Sequence, residues 1–349
     1  MKKIISLLLV MVMVLSACQP STTKKAKDKG TNSKTIEKLT VQFVPSRDPK
    51  DIISQTKPLE GLLQKHLKKQ GYNVKKVEIS VGTSYEATGE ALSAGSIDVG
   101  LIPGGTYVLY DDGAEVLLTA TRKGYNNDSE KAKDWNANKP TKLVNEEVTY
   151  YRSMILAGPS EKGKELAKKV NAGEKLTWED LNSAKWGVRG VSSSAGYIYP
   201  YLWLKDNYGK GITDLSTVVE QDSYNTALAQ LATGQLDVIV AFTDARIDNA
   251  NKWVKQYNGP KDIWEDTNII GVSDKIYNDT VSVSKNAQSG NMTPEFKEAL
   301  ANAFINLAKT EEGKKVISIY NHFGYKKAKS EDYNKERDAQ KLMKKLTKH

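Results

Sequence analysis

From Leu39 onward the chain alternates short apolar runs with longer amphipathic ones, and it does so twice. In the first set the pattern predicts strands over 39–44, 77–81, 97–102 and 116–121. Helices fall between them. The stretch 57–70 carries Leu59, Leu62, Leu63 and Leu67 at helical spacing before Gly71, and Tyr85–Ser93 stops just ahead of Gly95. Residues 122–147 are polar, with Asn126-Asn127-Asp128 and Asn138-Lys139-Pro140, and read as an insertion or loop rather than a core element. A long strand over 148–157 opens the second set, with strands over 185–188, 216–219 and 236–241 and helices over 195–207 and 225–233. Extended segments 269–272 and 280–283 lead to a helical finish over 294–309 and 311–319. Such alternation builds α/β units with mostly parallel sheets flanked by helices. Two units, the second inserted in the first, leave a cleft between lobes, and in open α/β sheets ligands sit beyond the carboxyl ends of the strands.

The loops at those ends share a chemistry. They are Pro45-Ser46, Thr83-Ser84-Tyr85, Gly104-Gly105-Thr106-Tyr107, Ser192 to Gly196, Asp222-Ser223-Tyr224-Asn225 and Thr243-Asp244. Hydroxyl or amide donors recur at helix starts, with aromatics beside them. The stretch Gly187-Val188-Arg189-Gly190-Val191-Ser192-Ser193-Ser194-Ala195-Gly196-Tyr197 is the densest case. A serine there caps the helix, and the same free N–H groups and helix dipole suit an anion. Taken singly, each loop is an ordinary cap. Converging on one cleft, they favour a small oxyanion held by neutral donors and helix N-termini.

The first 18 residues read as an export signal: Lys2 and Lys3, an apolar run from Ile4 to Leu15, then Leu15-Ser16-Ala17-Cys18. That run is short for a membrane span. Leu-Ser-Ala-Cys resembles a bacterial lipobox, and Cys18 is the chain's one cysteine, so lipid on Cys18 is expected and an internal disulfide is excluded. Residues 19–38 read as a flexible linker. The net charge of +9 is concentrated at the ends, +6 over residues 1–38 and +5 over 326–349, leaving −2 between them. A folded basic face for nucleic acid is therefore not expected, whereas basic ends suit an anionic membrane surface or plain solubility.

Catalytic alternatives lack their parts. His66, His322 and His349 are the only histidines; none falls in a cleft loop and no two have metal-ligand spacing. Nucleophile-elbow, phosphate-loop and dinucleotide glycine motifs are missing. Asp98 and Asp237 each follow a glycine turn into a strand (Gly95-Ser96-Ile97-Asp98, Gly234-Gln235-Leu236-Asp237), which reads as one structural turn used twice rather than a carboxylate pair.

Ser192-Ser193-Ser194-Ala195-Gly196-Tyr197-Ile198-Tyr199-Pro200 resembles the Ser-Thr-Ser-Gly-x-x-x-Pro segment of the phosphate/phosphite/phosphonate ABC-transporter substrate-binding proteins. The duplicated glycine–aspartate turn and the early Tyr85 fit the same family. What this resemblance implies is a type II periplasmic-binding-protein fold: 39–148 and 276–325 as lobe 1, 149–275 as lobe 2, and 326–349 as a basic C-terminal tail. It implies a non-enzymatic, lipid-anchored extracytoplasmic component of an importer, without cofactor or metal, that delivers a small oxyanion to an ABC permease and its ATPase. Ser193 and Ser194 would hold the phosphorus end, with the third hydroxyl lost at Ala195, and Tyr85 would close over it. Tyr224 stands where a comparison protein has His, Ile102 where it has an aromatic, and Arg152 where it has Trp. Asp244 and Asp279 match carboxylates that hold an ammonium group, which makes an aminoalkylphosphonate the first choice, unless Arg152 or Arg246 faces the cleft and reverses the logic. Thr106 and Ser46 complete the expected ligand-binding set. The departures at Ala195, Ile102 and Tyr224 leave an alternative, a surface adhesin or scaffold lipoprotein that keeps the fold without this ligand.

Overall fold

The structure, a computed structural model, describes residues 34–243 and 245–346, with side chains through 341. The export signal, Cys18 and Asp244 lie outside the described residues.

Among the described residues, twelve strands form two sheets. The first contains β1 (Lys34–Phe43), β2 (Tyr72–Val81), β3 (Val99–Ile102), β4 (Ala114–Tyr125) and β5 (Leu143–Val148). The second contains β6 (Tyr150–Ala157), β7 (Trp186–Val188), β8 (Val218–Glu220), β9 (Val238–Phe242) and β10 (Asn268–Tyr277). The chain then returns to the first sheet with β11 (Thr280–Ser284) and β12 (Gly324–Lys327). The first sheet runs β12-β4-β11-β3-β1-β2, with β5 paired to β4; the second runs β10-β6-β9-β7-β8. Each has a parallel core, β2-β1-β3 or β8-β7-β9, flanked by antiparallel strands.

The duplicated glycine–aspartate turn does the same job in both lobes. Gly95 and Gly234 take positive φ. Asp98 then accepts hydrogen bonds from the Thr40 N–H and hydroxyl, and Asp237 accepts from the Lys185 N–H and the Ser160 hydroxyl. Each carboxylate pins the third parallel strand of its lobe to the first.

Both cores follow from the apolar runs. Leu39, Val41 and Phe43 pack with Leu59, Leu63, Phe296 and Phe304 in one; Trp186, Leu166, Leu181 and Leu204 pack in the other. The chain crosses between sheets at Thr149 and at Asn278-Asp279, and the Asn278 N–H donates to the Thr149 carbonyl at 3.0 Å, so the two crossings are joined.

Three expectations need correction. Residues 34–38 are not linker but the start of β1, in parallel register with 72–76, where buried Ile36 supplies the one inward apolar anchor. The polar stretch 122–147 is not a bare insertion. Its first residues complete β4, its last residues form β5, and the helix Ala132–Ala137 places Trp135 in the second lobe's core. The chain end beyond 326 is not a separate tail. Residues 326 and 327 belong to β12, and the helix Asn334–Leu346 buries Glu336, Ala339 and Gln340, with Tyr333 buried just before it, while Lys335 and Lys341 face outward.

Candidate functional site

The lobes meet closely. The Ser194 hydroxyl accepts from the Gly105 N–H at 2.9 Å, and the Thr106 hydroxyl lies 3.1 Å from that of Ser192. The Tyr224 N–H points to the Ser46 carbonyl at 3.4 Å. Gly105 is required here, since a Cβ would come within 2.7 Å of the Ser192 carbonyl oxygen and 2.3 Å of Ile198. Arg189 acts as an inter-lobe staple: its guanidinium donates to the Pro45 carbonyl on one side and the Gln221 carbonyl on the other, between the rings of Tyr85 and Tyr224. Outside it, Asp248 of the second lobe accepts from Arg47 at 2.6 Å and from Asn321 at 2.7 Å.

Inside this contact lies a small cavity, with about 40 Å³ of room for the centre of a water molecule. A single water needs about 10–15 Å³ on that measure, so the space suits a compact group of a few heavy atoms. Ser46, Arg47 and Tyr85 line it from the first lobe, Ser193, Ser194, Tyr224 and Phe242 from the second, and Arg122, Tyr151 and Asp279 from the strands at the crossing.

Local sequence sets these positions. Ser193 caps a π-helical turn, Ser194–Ile198, that runs into the helix Tyr199–Tyr208, and its hydroxyl accepts from the Gly196 N–H at 3.1 Å. A hydroxyl that accepts keeps its proton for donation, and that of Ser193 sits 3.4 Å from the Tyr224 hydroxyl. A Cβ on Gly196 would run 2.4 Å from the Arg189 side chain, so the turn and the staple depend on each other. Ser84 and Ser223 cap the helices that begin with Tyr85 and Tyr224, and both rings are thereby delivered into the cleft. Burial raises the pKa of Tyr85, Tyr224 and Tyr151 above the ordinary phenol value, so all three stay protonated donors at neutral pH.

The partners of Asp279 at the floor were not foreseen. Asp279 accepts from Arg122 at 3.2 Å and lies 3.3 Å from His322 Nε2, with the Tyr151 hydroxyl at 3.5 Å. Burial works to raise the Asp279 pKa, but His322 and Arg122 outweigh it and the net shift is downward. Burial lowers the pKa of His322 despite that neighbour, so the ring is neutral at neutral pH. The tautomer that fits carries its proton on Nε2, facing Asp279, and accepts from the Tyr325 hydroxyl at Nδ1. Arg122 also donates to Asn278 at 3.0 Å and stacks 4.4 Å from the Tyr151 ring.

Of the residues expected to bind ligand, Ser46, Tyr85, Ser193, Ser194, Tyr224 and Asp279 line the cavity. Thr106 does not; it is buried in the contact with Ser192. Asp244 and the lipid-bearing Cys18 lie outside the described residues. Neither of the two arginines weighed for the cleft lines it. Arg152 binds Asp128 and the Ser273 carbonyl, and Arg246 lies over Trp264, its pKa lowered by burial to about 9. Arg47, Arg122, Tyr151 and Phe242 were missed. Arg47 directly follows the Pro45-Ser46 loop and was open to inference there; the other three sit in or at the end of strands and carry no local mark. His322 was set aside as remote, yet its ring supports the carboxylate at the floor. Among the described residues no group of three His, Cys, Asp or Glu is placed to hold a metal, and no helix is long and apolar enough to cross a membrane.

Comparison with known proteins places the chain. The family model described as "ABC transporter, phosphonate, periplasmic substrate-binding protein" matches residues 41–333. No curated protein sequence matches it closely enough to count as a relative. Among solved structures, the chain is similar to PhnD1 of Prochlorococcus marinus in complex with methylphosphonate, at 15% identity and TM-score 0.63, covering 88% of this chain and 99% of that one. It is similar to a binding-protein component of an ABC phosphonate transporter from Pseudomonas aeruginosa, at 13% identity and TM-score 0.62, covering 87% and 86%. A Xanthomonas citri protein bound to ATP is also similar, at 13% identity and TM-score 0.60, covering 90% and 99%. At such identities the likeness establishes the fold, that of two-lobed type II binding proteins.

Proposed function

The chain belongs to the family of periplasmic substrate-binding proteins of phosphonate ABC transporters, a transport family and not an enzyme family, and from that premise we propose that its cleft closes on a phosphonate-type oxyanion and delivers it to a permease. The observation that carries this reading is the lining of the cavity. The hydroxyl-bearing Tyr85, Ser193, Ser194 and Tyr224 line it, and Arg47 and Arg122 place two guanidinium groups there, the first paired with Asp248 and the second with Asp279 among the described residues. A buried anion needs directed donors and nearby positive charge, and this lining offers hydroxyl donors and two guanidinium groups.

The same geometry revises the choice of ligand. Asp279 is already engaged by Arg122 and His322, which argues against its holding an ammonium group. An uncharged substituent on phosphorus, or none, fits better than an aminoalkyl chain. The enclosed, donor-lined cavity also favours a binding protein over a scaffold that merely keeps the fold.

Calorimetric titration with methylphosphonate, phosphite, phosphate and 2-aminoethylphosphonate tests the reading. One of the first three should bind most tightly, and no heat with any of the four would refute the ligand class. We further propose that lipid on Cys18 holds the protein on the extracytoplasmic face. Labelled palmitate should be incorporated by the full chain and not by the Cys18→Ala variant; equal labelling would refute the anchor.

A further inference from the structure

A second chamber lies against the first. It offers about 290 Å³ on the same measure, with aromatic walls from Tyr125, Trp135 and Tyr150 and a charged side formed by Glu146 and the Arg152–Asp128 ion pair. The two spaces take successive positions on the same three strand segments. Arg122 of β4 lines the cleft and Gly124, two residues on along the same face, lines the chamber. Phe242 lines the cleft and Thr243 the chamber. Tyr151 of β6 lines both. Its ring is the shared wall, held by the stacked Arg122 guanidinium at 4.4 Å and by its hydroxyl against Asp279. On the chamber side, the buried Tyr125 hydroxyl has no hydrogen-bond partner among the described residues. Trp135 presents its ring edge-on to that of Tyr125, 6.4 Å away.

We propose that Tyr151 is the specificity-determining residue for what the phosphorus atom carries. It restricts the substituent to about one carbon by closing the cleft off from a chamber of mixed aromatic and charged lining that would otherwise accept a larger group. This rests on the proposed function and narrows it: the ligand is a small phosphorus oxyanion because the wall is an aromatic ring. A pocket wall discriminates by shape, and one methylene too many costs about ten- to 200-fold in affinity.

The experiment is a matrix of calorimetric titrations: phosphite, methylphosphonate and phenylphosphonate against the wild type, Tyr151→Leu and Tyr151→Ala. The wild type should prefer the small ligands to phenylphosphonate by about 100-fold. Tyr151→Ala should cut that ratio by about tenfold or more, chiefly through gained phenylphosphonate binding, with Tyr151→Leu between them. An unchanged ratio in variants that melt cooperatively would overturn the proposal, as would a wild type that binds phenylphosphonate as well as methylphosphonate. If neither variant folds, the wild type alone decides. Affinity along methyl-, ethyl- and propylphosphonate should fall by about tenfold or more per added carbon, and a flat series overturns the wall. Failure of the wild type to bind any small oxyanion would instead sink the ligand class, and this inference with it; a wild type that binds them while the ratio stays fixed sinks only the inference.

Discussion

Replacing Arg122 by Met separates two accounts of the cleft floor. The guanidinium and the Asp279 carboxylate are 3.2 Å apart, with side-chain exposures of 5% and 15%. Removing one member of a buried ion pair costs about 3–5 kcal/mol. The lower end applies here, because Asp279 keeps His322 and Tyr151 as neighbours. Binding suffers separately. Loss of a hydrogen bond from a charged donor is worth about 1.5–3 kcal/mol, or about 10- to 150-fold in Kd, and the variant also leaves a carboxylate facing the anion. We expect Arg122→Met to weaken methylphosphonate or phosphite binding by about 100-fold in calorimetry and to lower stability in urea melts. Adding Asp279→Asn should restore much of the stability, since both charges are then gone, but not the affinity. Were Asp279 instead the seat of an ammonium group, Arg122→Met would free it and strengthen 2-aminoethylphosphonate binding. That result, or an affinity within about threefold of wild type for the simple oxyanions, would refute the assignment of Arg122 as the anion's counter-charge.

Gly105→Ala should hold the lobes apart, because its Cβ would meet the Ser192 carbonyl at 2.7 Å; small-angle scattering should show no ligand-induced compaction, and Kd should rise by about tenfold or more. Glu336 is buried, one of its oxygens lacks a partner among the described residues, and burial raises its pKa, so the fold loses stability as pH rises from the ordinary carboxylate value to the raised one. Glu336→Gln should therefore raise Tm by about 2 °C at pH 7.5, with the gain vanishing toward pH 4.5; no gain at neutral pH would show the charge to be compensated. Acid acts through His322 and Asp279, whose pKa values are both lowered in the fold. The unfolded chain then binds protons that the folded one does not, so stability should fall from about pH 6.5 downward and again below about pH 4. His322→Gln should shrink the upper step in urea melts, the buried His66 with its likewise lowered pKa keeping the rest, and a variant with the wild-type profile would assign that step elsewhere.

The strands of both sheets were legible because each parallel core is built from short, nearly continuous apolar runs: Val99 to Ile102 and Val238 to Phe242 are buried at every position. The paired aspartate turns were legible for a related reason, since the same backbone need recurs at the same place in each lobe. What escaped was structure whose apolar content is thin. The first five residues of β1 contain one buried side chain, Ile36. β5 pairs on the edge of β4 with almost no inward face, and the helix Ala132–Ala137 buries only Trp135 and is otherwise held by polar bonds from Asn136 to the Ile269 backbone. In such segments pairing partners determine the conformation, and partners distant along the chain leave no periodic trace.

The same distinction divides the site. Loop donors such as Ser193 and Tyr224 could be read because a helix start must be capped, and a cap beside an aromatic is a local pattern. The floor could not be read, because its meaning lies in a juxtaposition of residues 122, 278–279 and 322. Asp279 illustrates the consequence. Alone, a carboxylate at the edge of an anion site points to a cationic group on the ligand, since a bare anion would be repelled. Beside Arg122 and a neutral histidine that inference lapses: the carboxylate is already paired with a guanidinium, and the ligand need carry no cation. The residue is the same in both readings. Its electrostatic sign toward the ligand is set by two partners, one more than 150 positions before it and one more than 40 after it, so the specificity of this cleft belongs to the crossing between the lobes rather than to any motif along the chain.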